Sequence, residues 1–198
     1  MTAKRALDVV GSALGLVLLS PALVLIAVLI RREDGGPVFY RPLRVGQGGR
    51  SFRLWKFRTM VVDADRIGAG LTVGDDPRIT RIGRALRGHK LDELPQLIDV
   101  LLGEMSLVGP RPEAPEYVAL YTEDQRKVLD LIPGITDPAS IKYANESQLL
   151  ALADDPQELY VTEIMPEKIL INLDYARAAT VLSDIGVVVR TLARIWRS

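Results

Sequence analysis

The sequence predicts an α+β fold that is predominantly helical: a re-entrant membrane helix hairpin, followed by a cytosolic domain with a small β-hairpin and interfacial amphipathic helices. Three observations lead there. An uncharged apolar run extends from Val9 to Ile30, and Ser20-Pro21 interrupts it near its middle. The rest of the chain mixes short strand-like runs with helical periodicities, without the succession of long apolar strands that a buried parallel sheet needs. The boundary falls at residue 34, with 1–34 as the membrane element and 35–198 as a membrane-associated domain.

As a straight helix the apolar run would measure about 33 Å, enough for a typical hydrocarbon core. Charge argues against a simple span. Lys4 and Arg5 precede the run, Arg31 and Arg32 close it, and Arg41 and Arg44 follow, so cytoplasmic preference acts on both ends. Pro21 offers no amide hydrogen to the carbonyl of Val17, and its ring crowds that carbonyl, so a bend is expected at Ser20-Pro21. A serine hydroxyl beside the bend can satisfy the freed backbone group in lipid. Two half-helices hinged there would dip into one leaflet and return; a proline-kinked spanning helix is the competing reading. No small-residue cleavage pattern precedes Arg31, which disfavours a signal peptide.

Composition narrows the chemistry. The 198 residues suffice for the membrane element and one domain of ordinary size. Twenty-five basic residues balance twenty-five acidic ones, so nothing global points to nucleic acid. Without cysteine there are no disulfides, zinc thiolate sites or thiol catalysis, and the lone His89 cannot build a histidine metal cluster. Carboxylates, arginines, lysines and an oxygen-bound metal are left.

Val38 to Arg44 and Ser51 to Met60 read as two strands around Gly46-Gln47-Gly48-Gly49, a hairpin. Alternation sets Lys56 and Arg58 on one side of the second strand, facing substrate, membrane or solvent. Beyond Asp76-Pro77-Arg78, residues Ile79, Ile82 and Leu86 recur at helical spacing, and Arg78, Arg81, Arg84 and Arg87 form a positive stripe. Leu91 to Leu97 open a second helix, continued by Ile98, Leu101 and Leu102, with Pro95 in its first turn. Asp92 and Glu93 near that end either cap it or form a working pair, since neighbouring helical positions point about 100° apart. A helix start also favours phosphate, and Arg87 lies shortly before it. In Gly109-Pro110-Arg111-Pro112, proline on both sides stiffens the backbone that presents the Arg111 guanidinium. Two arginines, paired carboxylates and a helix start outline a metal-assisted phosphate site.

In family order stand Lys4-Arg5-Ala6-Leu7-Asp8, Ser20-Pro21, Gly36-Pro37-Val38-Phe39-Tyr40, Lys56-Phe57-Arg58-Thr59-Met60, Asp76-Pro77-Arg78-Ile79-Thr80, Leu91-Asp92-Glu93-Leu94-Pro95-Gln96 and Gly109-Pro110-Arg111-Pro112. With this ordered set, the chain resembles the bacterial sugar transferases, the monotopic polyprenol-phosphate phosphoglycosyl transferases, in their minimal catalytic form. The resemblance implies transfer of a sugar 1-phosphate from a UDP-sugar to undecaprenyl phosphate, giving undecaprenyl diphosphate sugar and UMP. It implies Asp92 as the nucleophile that forms an aspartyl phosphosugar intermediate, Glu93 as the Mg²⁺ ligand, and Arg87 and Arg111 on phosphate oxygens. It also implies a re-entrant helix bent at Ser20 and Pro21, membrane lipids as partners, and a catalytic domain on the cytoplasmic face of the bacterial inner membrane. Monomer and homodimer are both open.

After Pro133-Gly134-Ile135-Thr136 the chain departs from the commoner family pattern, and the identity of the sugar stays open there. Lys142 either meets the donor or bridges to Glu146 one turn on. Toward the carboxyl terminus, Ile185, Val188, Val189, Leu192, Ile195 and Trp196 form an apolar stripe opposite Arg190, Arg194 and Arg197, the pattern of an interfacial helix or of a core-packed surface helix. A membrane-tethered UDP-sugar hydrolase and a non-catalytic assembly scaffold are the readings from other classes.

Overall fold

A computed structural model describes residues 2–67 and 76–197. Helix α1, Ala3–Asp34, starts where the Thr2 side chain accepts the Arg5 amide and ends where Gly35, at φ 73°, returns its N–H to the Arg31 carbonyl. Helical geometry continues through Pro21, the position of the expected hinge between two half-helices. Beside it Ser20 Oγ donates to the Val17 carbonyl at 2.8 Å, the group that proline leaves without its amide.

Both ends of α1 dock on the same body. At the amino-terminal end, Lys4 Nζ reaches the Val108 carbonyl and Asp184, and Arg5 donates to the carbonyls of Val100 and Leu101. Buried Asp8 accepts from Ser106 Oγ and the Leu107 amide. Gly11 lets Leu107 approach so closely that a Cβ would sit 2.8 Å from its Cδ1. At the far end Ile26 and Ile30 pack with Phe57 and Leu86, Glu33 accepts the Ile82 amide, and Asp34 takes two bonds from Arg58. Between these anchorages Val10, Leu14, Val17, Leu18, Val24 and Leu25 stand exposed.

The expected hairpin is present in two stretches of antiparallel ladder. Strands β1, Phe39–Tyr40, β2, Leu43–Val45, β3, Ser51–Arg53, and β4, Lys56–Phe57, pair β1 with β4 and β2 with β3. Gly48 and Gly49 turn the chain at positive φ. After α2, Ala64–Ile67, comes α3, Arg81–Gly88, capped by the Thr80 side chain. The arginine stripe is therefore shorter than its spacing suggested: Arg78 precedes the helix and is clamped by Asp76.

The second helix also starts later than expected. Leu91–Glu93 is a separate 3₁₀ turn, and α4 covers Gln96–Leu102. Strands β5, Ser106–Val108, and β6, Gly134–Thr136, form a small parallel pair. Between them lie α5, Pro115–Val118, and α6, Glu123–Arg126. Helices α7, Pro138–Lys142, α8, Glu146–Ala151, α9, Pro156–Leu159, α10, Met165–Ala178, and α11, Val181–Arg197, complete a predominantly helical domain with small sheets. Its main apolar cluster gathers Tyr121, Val128, Leu150, Ile164 and Ile169. On α11, Val187 is buried while Ile185, Val189 and Leu192 face outward; the side chains of Ile195, Trp196 and Arg197 lie outside the described residues.

One close approach fixes α3 against the strand that leads to the site. A Cβ on Gly83 would fall 2.0 Å from the Thr59 carbonyl oxygen, whereas one on Gly88 meets nothing within 4 Å. Gly83→Ala should therefore lower stability by about 1–3 kcal/mol, and Gly88→Ala should leave it unchanged or raise it by up to about 1 kcal/mol. Denaturant unfolding of the two variants checks the contrast; equal effects would remove the close packing from the account.

Candidate active site

Asp92 and Glu93 are presented by the 3₁₀ turn between α3 and α4. Lys90, at φ 56°, reverses the chain ahead of that turn, an unusual conformation for a residue with a side chain. Buried Pro95 then starts the climb into α4. The pair therefore does not cap a helix. Both carboxylates point inward, and Asp92 is only 2% exposed.

Lys56 reaches in from β4 and lies between them, with Nζ 2.8 Å from Asp92 Oδ2 and 3.3 Å from Glu93 Oε1. Arg111 arrives from the segment after β5. Its Nη1 donates to Glu93 Oε2 at 3.1 Å and its Nη2 to Oε1, the two-pronged geometry a guanidinium makes with a carboxylate. The presentation of Arg111 depends on close backbone packing. A Cβ on Gly134 would lie 2.1 Å from the Gly109 nitrogen, so β6 can press against the segment ahead of Arg111 only with glycine there. Lys4 holds the last carbonyl of β5 just before it.

Burial pushes the Glu93 carboxyl up, but Arg111 and Lys56 outweigh it and hold Glu93 well below the ordinary carboxylate range. In return the Glu93 carboxylate raises Arg111 against the effect of its own burial. Glu93 is thus a fixed anion. Asp92 differs: Oδ2 meets Lys56, while Oδ1 is buried without a hydrogen-bond partner. A buried carboxylate oxygen in that condition is costly to keep and free to react. The amide nitrogen of Gln96, one turn along, is also buried without a partner.

Arg87 approaches from α3. Its Nε donates to Thr59 Oγ1 at 2.8 Å, which leaves Nη1 and Nη2 without a hydrogen bond among the described residues. Burial lowers its affinity for the proton, and the neighbouring Asp92 charge opposes that effect. The arrangement is a pair of buried carboxylates ringed by three cations, with one carboxylate oxygen and one guanidinium fork uncommitted. Such a site can receive a phosphate ester and offset its charge during displacement.

Over residues 1–198 the chain matches the model of the bacterial sugar transferase family. It belongs to that family. It is 36% identical over 200 residues to the UDP-glucose:undecaprenyl-phosphate glucose-1-phosphate transferase of Caulobacter vibrioides, covering 96% of this chain and 68% of that one. The undecaprenyl-phosphate glucose phosphotransferase of Komagataeibacter xylinus is 38% identical over 98% of this chain, which spans 36% of its length. The UDP-N-acetylgalactosamine-undecaprenyl-phosphate N-acetylgalactosaminephosphotransferase of Aeromonas hydrophila is 44% identical over 61% of this chain, but only 29% of that relative is matched. Against several of these longer relatives the sugar transferase chain thus corresponds to a part.

Of the residues singled out in the sequence, the fold gathers Asp92, Glu93 and Arg111 into direct contact and sets Arg87 beside them. Ser20 and Pro21 lie apart, in the middle of α1. Lys56 and Arg58 share a strand edge in the sequence but have different tasks: Lys56 joins the carboxylates, while Arg58 turns back to Asp34 and the carbonyl of Pro37. Lys142 neither bridges to Glu146 nor lies among these groups. It pairs with Glu167, and Glu146 takes Lys168 instead, because α10 packs alongside α7 and supplies partners closer than one turn of a short helix. Thr59, which orients Arg87, went unnoticed; its place in Lys56-Phe57-Arg58-Thr59-Met60 was the available signal.

Behind the site, Asp99 on α4 accepts the Trp55 amide through Oδ2 at 2.9 Å, and burial raises its carboxyl to about 6. Between its ordinary 3.8 and about 6 the folded state holds a proton that the unfolded chain has lost. Stability should therefore fall as pH rises through that window. Asp99→Asn should flatten that limb of the profile, as measured by melting temperature from pH 4 to 7. An unchanged slope would assign it to another group.

Proposed function

We propose that this protein transfers a sugar 1-phosphate from a UDP-sugar to undecaprenyl phosphate through a covalent phosphosugar on Asp92. The observation that carries the reading is the unclaimed, buried Oδ1 of Asp92 inside a ring of cations. In the first half-reaction that oxygen attacks the sugar-bearing β-phosphorus, the bond from phosphorus to the bridging oxygen breaks, and UMP leaves with the electron pair. In the second, a phosphate oxygen of the lipid attacks the same phosphorus and the carboxylate is released. A covalent intermediate lets a soluble donor depart before a lipid acceptor arrives. Names of the relatives supply donor and acceptor classes, UDP-sugars and undecaprenyl phosphate.

Arg87 offers its uncommitted fork to the donor's phosphates. Arg111 and Lys56 counter the charge gathered around Glu93 and Asp92. The donor set suits Mg²⁺ in its chemistry, since the carboxylates of Glu93 and Asp92 offer only oxygen. Among the described residues no cluster of three acidic or histidine ligands exists, so protein carboxylates would contribute one or two oxygens, with Glu93 as the assigned ligand. Bound there, the ion would neutralise phosphate charge and stabilise the departing UMP.

The same reading sets α1 in one leaflet. A straight helix of that length would span about 48 Å, and a crossing would carry one end far from a domain on the other side. Instead Lys4 and Asp34 both dock on the domain, basic residues flank both ends, and the exposed apolar face lies between. This supports a re-entrant element with the domain at the cytoplasmic surface, where the outward apolar face of α11 would rest in the interface.

The deciding experiment is intact mass measurement after mixing the protein with UDP-sugars and Mg²⁺ without acceptor, then with undecaprenyl phosphate. The expected result is a retained phosphosugar mass that disappears when the acceptor is added, with UMP released. Asp92→Asn should reduce UMP release about 10³-fold or more with membrane association intact. Free sugar phosphate independent of acceptor would mean a hydrolase, and full complementation of glycan assembly by that variant would mean a scaffold. Single cysteines at positions 2 and 33 should both label from the cytoplasmic side; labelling from opposite sides would restore a span.

A further inference from the structure

Beside the carboxylate pair is a pocket that the reaction scheme does not use. Arg111 belongs to its wall, together with Pro112, Glu113, Tyr121, Lys168 and Asn172. Besides Arg111, four polar residues line this space, and two of those four are already engaged. Glu113 accepts the Tyr160 hydroxyl at 2.5 Å, and Lys168 Nζ lies 2.8 Å from Glu146 Oε2. The other two are not. Tyr121 is 7% exposed and Asn172 6%, yet neither the phenol nor the amide has a hydrogen-bond partner among the described residues. Neither is sealed in, since the fully enclosed unpartnered atoms belong to Asp92 and Gln96. Both residues line the pocket, and neither polar end is fully enclosed.

A phenol and an amide with so little contact with water and no protein partner cost stability relative to apolar side chains of similar size. Leucine or phenylalanine would serve the packing of Val128, Met165 and Ile169 better. That cost is repaid where a ligand completes the bonds, as at sites built to recognise hydroxyl or amide groups. We infer that Tyr121 and Asn172 form the subsite that reads the glycosyl group of the donor, an inference that rests on the transferase reading above. Two features select the sugar over the base. Arg111 touches both the carboxylate pair and the pocket, and the sugar is bonded through one oxygen to the phosphorus attacked, whereas ribose and the α-phosphate separate the uracil from it. The pocket also combines a neutral amide, a phenol and engaged charges above aliphatic walls, which suits a ring with a hydroxyl rim and apolar faces.

Asn172 comes from the middle of α10 and Tyr121 from the loop after α5, far apart in the chain and joined only by the fold. An amide presents a donor and an acceptor side by side, so it can distinguish axial from equatorial hydroxyls or accept an acetamido group. Tyr121 adds one donor that burial and the nearby Glu113 charge keep protonated.

The test measures kcat/KM for UDP-glucose, UDP-galactose, UDP-N-acetylglucosamine and UDP-N-acetylgalactosamine with undecaprenyl phosphate, alongside product inhibition by UMP and melting temperature. Asn172→Leu and Tyr121→Phe are compared with the unaltered chain. The expected result is a ratio between preferred and next-best sugar that shrinks about tenfold or more, UMP inhibition unchanged, and a melting temperature equal or higher. Unchanged kinetics would mean ordered water only and overturn the inference. An equal loss for all four sugars, or a parallel loss of UMP inhibition, would also overturn it, the latter by assigning the pocket to the nucleotide. No lipid-linked product from the unaltered chain would defeat the transferase reading itself, and this inference with it.

Discussion

The Glu93 carboxylate, gripped by Arg111 and shared with Lys56, is the interaction around which the rest is arranged. A carboxylate so deeply buried is tolerable only when opposite charge meets it with good geometry. Three separate pieces of chain supply that geometry. The hairpin contributes Lys56, the 3₁₀ turn contributes the acids, and the parallel strand pair presents Arg111. Each piece is short and would be unstable alone. Their mutual attraction gives a domain of small sheets a defined centre.

Around that centre helix α1 acts as a brace. Lys4 and Asp8 hold β5 and the residues that lead to Arg111, while Glu33 and Asp34 hold α3 and Arg58, just after β4. Both cationic arms of the site are therefore supported by opposite ends of the same helix. Displacing either end would disturb a backbone segment within a few residues of a charged group at the carboxylates.

The division of labour between neighbouring acids follows from their surroundings. Glu93 is locked as an anion by two cations. Asp92 shares only one of them and keeps an oxygen uncommitted, which suits an attacking group. The adjacent residues differ because Arg111 reaches only Glu93, while Lys56 lies against both.

Much of this was legible in the sequence. The apolar run with its serine and proline, the hairpin, the Arg-rich helix and the motif residues Asp92, Glu93, Arg87 and Arg111 are local signals, carried by periodicity, turn chemistry or short ordered motifs. Even the Ser20 bond to the Val17 carbonyl follows from which amide a proline removes. What local signals could not supply is partnership across the chain. Lys56 and Arg58 look equivalent along a strand, but only packing sends one to Glu93 and the other to Asp34. The 3₁₀ turn and the late start of α4 follow a Lys90 in left-handed conformation, which no local sequence signal announces. Tyr121 and Asn172 carry no motif and meet only because α10 folds back across the segment after α5. Sequence alone thus determined which chemistry the chain contains, through residue types at fixed spacing; tertiary structure decided which groups are neutralised and which are left open, because charge and hydrogen bonding act through space.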